Sequence, residues 1–249
     1  MAAIPLAKKP LAVIKQHLLD EFDEVKSSHL SEALAASLGF DTNAALQAAM
    51  TGPEDDRPFA LLDTDRFLAR LAEFGYRLHG EDAGFDFDFY DRHPHLVRTL
   101  PLSGDVIEYK TPRERAWRNL MVLGVNAALD QRLFTLRPGD DRFDDDMRRG
   151  QVFDFLLPNG LAARGSVATA GFDELAIHVA VNPKGDEVRY NNAGFKAGDA
   201  YGATWLERRD GAWLQTCLKS FRCRKALSAQ LADLEVRPKG FGDRGKVIF

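Results

Sequence analysis

A carboxylate two positions before a lysine on a strand is one way to hold a divalent cation and place an attacking water beside it. Glu108-Tyr109-Lys110 has that spacing, and Asp86, Asp88, Asp91 and Asp105 stand upstream as sources of a second carboxylate. Alternation along a strand puts Glu108 and Lys110 on one face. Asp88, Glu108 and Lys110 are therefore the catalytic candidates for a magnesium-dependent nuclease of the restriction type, and magnesium is expected only under that reading. An ordinary ion pair on an exposed strand gives the same pattern.

Other reactive side chains are scattered. His93-Pro94-His95 brings two imidazoles near carboxylates, but the sequence names no further ligands for a metal. His178 falls mid-strand on the face opposite Leu175, Ile177 and Val179, where a hydrogen-bonded or solvent-facing role is expected. There is no Gly-x-Ser-x-Gly elbow and no Walker phosphate loop. Gly194, Gly198 and Gly202 recur at every fourth position, which suits close backbone packing. Cys217 and Cys223 are the two cysteines. They are too few for a disulfide framework or a zinc site, and they read as reduced thiols of a cytoplasmic protein.

Charge is unevenly spread. The formal net charge of -4 over 249 residues argues against a whole-molecule nucleic-acid binder but leaves room for a local basic patch. Asp140, Asp141, Asp144, Asp145 and Asp146 form an acidic loop. Lys219, Arg222, Arg224, Lys225, Arg237 and Lys239 are the nucleic-acid-binding candidates, followed by Arg244 and Lys246. Trp205, Trp213, Phe221 and Phe241 are interleaved with them, and such a patch can track a phosphate backbone with a ring for stacking. A solvated helix face, or a basic end that meets the acidic loop, is the alternative.

The elements that must carry these residues divide the chain in three. Residues 1–52 read as a small helical module. Leu11, Ile14, Leu18, Phe22 and Val25 follow Pro10 at helical spacing, Ser28 is placed to cap a second helix ending at Gly39, and Asp41 or Thr42 a third. The polar stretch 51–56 marks a boundary. Residues 57–150 are mixed: a helix from Asp63 or Thr64 to Gly75, strands over 85–89 and 105–110, and a buried central helix opened by Thr111-Pro112-Arg113-Glu114, a capping box with proline in the first turn. Residues 151–249 read as β-rich, with hairpins at Pro158-Asn159-Gly160 and Asp210-Gly211, a strand over 175–181 and a closing helix over 221–234. The fold class is α+β, and 57–249 is compatible with a single domain.

Ser28-His29-Leu30-Ser31-Glu32-Ala33-Leu34 followed by Leu38-Gly39-Phe40 resembles a short helical module, named glyoxalase-related, found in many proteobacterial proteins. The resemblance carries no activity, and the paired metal ligands of a true glyoxalase are absent. Segments 116–121 and 133–140 look like proteins of proteobacterial integrative and conjugative elements. That likeness implies a mobile-element context. The module has a helix-turn-helix flavour, with Ala35 and Gly39 at the turn and Leu46 placed to pack inward. Its second helix, from Asn43 to Met50, has no positive charge with which to approach DNA.

The function expected is an accessory or regulatory binding protein of a mobile element, acting on DNA, RNA or a protein partner. The nuclease is one alternative, and a protein-only interaction module or inhibitor another. No run is apolar enough for a membrane span, and no signal-peptide core follows Lys8 and Lys9. Oligomeric state is open.

Overall fold

The computed structural model describes residues 2–53, 56–78, 93–101, 106–140, 150–188 and 195–245. The fold is α+β, and the chain divides into two compact units. One comprises residues up to Thr99 together with Lys239–Phe241. The other comprises Leu100–Pro238 and the segment from Gly242. No helix of the described residues is long and apolar enough to cross a membrane.

In the first unit a short strand changes the organisation expected for residues 1–52. Strand β1 (Ala2–Pro5) pairs with β2 (Phe59–Leu61) and with β3 (Val97–Arg98), both antiparallel. Residues beyond 57 thus complete the sheet of the N-terminal segment, and the unit continues to Thr99 rather than closing at residue 52. Helices α1 (Lys8–Glu21), α2 (Ser27–Ser37), α3 (Asn43–Ala49) and α4 (Thr64–Glu73) share a core with the sheet. Ile4, Ile14, Leu18, Leu30, Leu46, Phe67 and Leu71 are its most buried members.

Capping follows the sequence in two of three places. Thr42 accepts from the Ala45 amide at 3.1 Å and Asp63 from the Arg66 amide at 3.1 Å. Ser28 caps nothing: α2 begins at Ser27 behind Lys26, with no side-chain cap. Gly39 leaves α2 at φ +88°, in the left-handed region that glycine tolerates. Ala35 and Leu46 are buried.

The second unit is built on helix α5 (Pro112–Asp130) and a seven-stranded sheet. The Thr111–Glu114 capping box is formed as expected, with both reciprocal hydrogen bonds. The main strands are β4 (Gln151–Leu156), β5 (Ala162–Gly171), β6 (Glu174–Val181) and β9 (Ala200–Glu207). Beyond β9 come β10 (Trp213–Gln215) and β12 (Gly242–Gly245), with β11 (Arg222–Cys223) on β9 as well; β7 (Glu187–Val188) pairs separately with β8 (Phe195–Lys196). Both expected hairpins form, joining β4 to β5 and β9 to β10 in antiparallel register.

The expected closing helix shortens to α6 (Lys225–Ala232), because Arg222 and Cys223 pair with β9 instead. Residues 106–110 form no strand, although the Ile107 amide donates to the Arg244 carbonyl at 3.1 Å. The strand expected over 85–89 lies outside the described residues.

Helix α5 meets the sheet where side chains are smallest. A Cβ on Gly124 would collide with the Val179 side chain, and one on Gly202 would stand 3.0 Å from Met121 Cε. Trp117, fully buried, donates its indole N–H to the Ala203 carbonyl at 3.2 Å. On the other side of α5, Asn119 Nδ2 donates to the carbonyls of Leu231 at 2.8 Å and Leu234 at 2.9 Å. One buried amide thus closes the carboxyl end of α6.

Glycine to alanine within a helix gains about 1 kcal/mol of propensity, whereas overpacking a tight contact costs about 1–3 kcal/mol. Gly124→Ala is therefore expected to destabilise the protein by about 1 kcal/mol in urea unfolding, and the double variant with Val179→Ala should lose less than the sum of the two single losses. Additive losses in the double variant would show that the two positions do not meet.

Candidate nucleic-acid interface

The basic candidates separate into three places. Lys219 lies on a 3-10 turn (Leu218–Ser220), Arg222 on β11, Arg224 at the start of α6 and Lys225 in its first turn; all four are exposed. Arg237 is also exposed, but its carbonyl accepts from Asn126 on α5. Arg113, thirteen residues before Asn126, donates to the Phe221 carbonyl, so at 1.5 Å per residue Arg237 stands roughly 20 Å along α5 from that end. Lys239 belongs to the other unit. Its neighbour Gly240, at φ +81°, leaves no room for a Cβ against the backbone of Phe59.

The four-residue group gains two cations that lie far from it in sequence. Asp199, just before β9, is the joint. Its carboxylate takes Lys184 Nζ at 3.0 Å and Asn182 Nδ2 at 3.1 Å on one oxygen, and Arg224 at 3.1 Å on the other. Lys184 and then Asn182 are the main causes holding this carboxyl below the usual aspartate range, with a smaller part from Arg224. The joint is positioned by backbone. The Asp199 amide donates to the Val181 carbonyl at 2.8 Å and the Arg224 amide to the Asp199 carbonyl at 3.1 Å. Gly198, at φ +70°, packs where a Cβ would strike the Val181 carbonyl.

Arg113 closes the other side, with its guanidinium 5.1 Å from the centroid of the Phe221 ring. Lys184 and Arg224 thus meet on Asp199, Arg113 lies against Phe221, and Lys219, Arg222 and Lys225 flank these positions in the chain. Sequence reasoning missed Lys184 as a site residue and read Arg113 only as part of a cap. Gly198, noticed for its spacing, was the one local trace of the close approach.

The stacking expected of the aromatics is not available: Trp213, Phe221 and Phe241 are buried and Trp205 is half-buried. Burial pushes the Cys223 thiol up to about 11 despite the nearby Arg113, so it is a poor nucleophile at neutral pH. Both cysteines are free thiols.

The remaining candidates fall elsewhere. Lys110 Nζ and Glu108 form an ion pair at 3.5 Å, with side chains 79% and 70% exposed. Asp86, Asp88, Asp91 and Asp105 lie outside the described residues, as do Asp141, Asp144, Asp145, Asp146, Gly194 and Lys246. Asp140 is no surface charge: buried, it accepts from the Thr135 amide at 2.6 Å and hydroxyl at 2.8 Å and stands 3.9 Å from Arg208. His93 is buried edge-on against His17, ring centroids 4.9 Å apart, and His95 is in the neighbouring turn. Among the described residues no three His, Cys, Asp or Glu side chains gather as a metal site would require.

The sheet face turned away from α5 buries several polar groups on β6, β9 and β10. His178 takes the hydrogen-bonded role, its Nδ1 2.6 Å from the Tyr201 hydroxyl. Burial lowers its pKa to about 4. Glu174 and Glu207 are direct cross-strand partners. Gln215 donates to Glu174 at 2.6 Å and the Arg209 amide to Glu207 at 2.8 Å. Burial, and then the facing Glu174, raise the Glu207 carboxyl above its ordinary value.

These two groups have opposite signs in pH-dependent stability. His178 folds neutral, so the stability it protects is complete above its unfolded value of about 6.5 and is lost as pH falls toward 4. Urea unfolding should show a loss of up to about 1.4 kcal/mol per pH unit below pH ~6.5, diminished in His178→Gln. Glu207 favours the folded state when protonated, and that contribution disappears as pH rises through its elevated pKa. Glu207→Gln should therefore stabilise at neutral pH by up to about 1 kcal/mol and have little effect in acid. A Glu207→Gln protein less stable than the parent at neutral pH would contradict the repulsion.

A scan against protein-family models gives no match to this chain, and neither does comparison with curated proteins or with solved structures.

Proposed function

We propose that the chain is an accessory nucleic-acid-binding protein that holds a phosphate backbone on the basic surface around Asp199. The observation that carries this reading is a run of four exposed cations, Lys219, Arg222, Arg224 and Lys225, which Lys184 joins through the Asp199 carboxylate shared with Arg224 and Arg113 joins through the Phe221 carbonyl. Like charges close together on a surface repel one another, and a phosphate bound among them would relieve that repulsion.

The start of α6 adds to this. Its first turn carries Lys225 and no acidic residue, and Arg224 before it provides no side-chain cap. Cations there oppose the helix dipole, whereas a phosphate would meet both the dipole and the free amides. Backbone contact without base-edge readout makes the binding sequence-tolerant. A mobile-element setting, implied by the resemblance noted in the sequence, would suit an accessory protein of this kind.

The test is binding to labelled duplex and single-stranded DNA and RNA at two salt concentrations. Neutralising about four phosphates predicts roughly a hundredfold loss of affinity between 50 and 200 mM salt. Replacing Lys219, Arg222 and Lys225 together by alanine should lower affinity and flatten the salt slope. Arg224 is left in place because it braces Asp199. Unchanged affinity and slope in that variant would remove this surface from consideration.

A further inference from the structure

Lys184 and Arg224 face solvent yet are held in place. Their side chains are 58% and 69% exposed. A lysine or arginine so exposed ordinarily samples many rotamers, and a ligand that fixes it must offset the lost entropy. Here the Asp199 carboxylate takes Lys184 Nζ on one oxygen and the Arg224 guanidinium on the other. Both cations are thus tied at their charged ends before any ligand arrives.

The carboxylate is steadied in turn. Asn182 donates its side-chain amide to the oxygen that takes Lys184. Asn182 adopts φ +47°, a left-handed conformation that asparagine enters more readily than most residues, and its backbone amide donates to the Ala162 carbonyl at 2.7 Å. Lys184 is fixed at its backbone as well, its carbonyl accepting from the Gly198 amide at 3.0 Å. An ammonium has three N–H donors and a guanidinium five, so neither cation spends all of its donors on one carboxylate oxygen. A carboxylate that merely neutralised a cation would need neither the Asn182 amide nor a second cation on its other oxygen.

We infer, resting on the nucleic-acid reading above, that Asp199 is a positioning residue which, steadied by Asn182, presents Lys184 and Arg224 as a pre-ordered pair to a phosphate backbone. Two effects of the carboxylate oppose each other. Its charge repels a phosphate, but two cations outnumber it and salt screens the repulsion. Its contacts leave two long side chains less to lose on binding, which strengthens it. The sign of one substitution separates these effects. Asp199→Asn makes a phosphate-binding surface more positive, so charge alone makes binding tighter, whereas loss of positioning makes it weaker.

The experiment measures binding of the full chain to the same labelled duplex and single-stranded DNA and RNA across the salt range. Asp199→Asn should bind roughly fivefold more weakly, with the slope of log affinity against log salt unchanged, because the same phosphates are neutralised. Lys184→Ala removes a cation and should instead flatten that slope by about one. Adding Asp199→Asn to Lys184→Ala should cost less than the two single losses together, since Asp199 acts partly through Lys184. Asp199→Asn disturbs three side chains at once, so Asn182→Gly serves as a milder variant. Glycine accepts φ +47°, and only the amide is lost, so a smaller weakening at the same slope is expected. Tighter binding by Asp199→Asn, strictly additive losses with Lys184→Ala, or unchanged affinity in both Asp199→Asn and Asn182→Gly would overturn the inference. If the parent still binds through Lys219, Arg222 and Lys225, those results leave the proposed function standing. A parent without salt-sensitive binding overturns both.

Discussion

The contact between α5 and the centre of the sheet is the constraint on which the second unit depends. Gly124 and Gly202 are each the small partner in a contact whose large partner sits on the other element, Val179 in one case and Met121 in the other. Such interlocking fixes the helix along its axis as well as its distance from the sheet. With α5 fixed, three of its polar side chains become measuring points for the chain that follows the sheet. Arg113 reaches the Phe221 carbonyl, Asn119 closes the end of α6, and Asn126 takes the carbonyl of Arg237. The basic segment is therefore laid out along a buried helix, and the spread of its cations follows from helix geometry rather than from sequence adjacency.

That dependence explains what was legible in the sequence. The capping box at Thr111, the caps at Thr42 and Asp63, the two hairpins and the burial of α5 all rest on interactions within a few residues, and each is present. The failures are non-local. Strand β1 is four residues with no alternation to announce it, and it exists because residues 59–61 and 97–98 pair with it. Arg222 and Cys223 fit the periodicity of a helix, but hydrogen bonding to β9 outweighs helix propensity there. Glu108 and Lys110 have the spacing of a strand pair, yet no strand forms at 106–110.

The same distinction holds for the candidate interface. Four of its cations are near neighbours in the chain and stood out as a charge cluster. Lys184 and Arg113 join only because a carboxylate and a buried ring receive them. Asp199 carried no signal of its own, since an aspartate after glycine is an ordinary loop residue. Its role appears once β6 and β9 are paired, when Gly198 lets the Asp199 backbone close on Val181.

The two faces of the sheet are held by different physics. Toward α5 the contacts are apolar and set by shape. On the opposite face polar groups are buried among Ala176, Ala180, Ala203 and Trp213, and hydrogen bonds tie them to neighbours: His178 with Tyr201, Glu174 with Gln215, Glu207 with the Arg209 amide. A satisfied buried network contributes little net stability compared with an apolar core, but leaving one member unpaired is costly. The apolar face therefore supplies cohesion, while the polar face penalises any slip of β6 against β9. A one-residue slip would move His178 to the α5 side and bring Val179 to the polar side. Neither side could accept that exchange, so both faces hold the β6–β9 register, and that register is what keeps Asp199 beside Lys184 and Arg224.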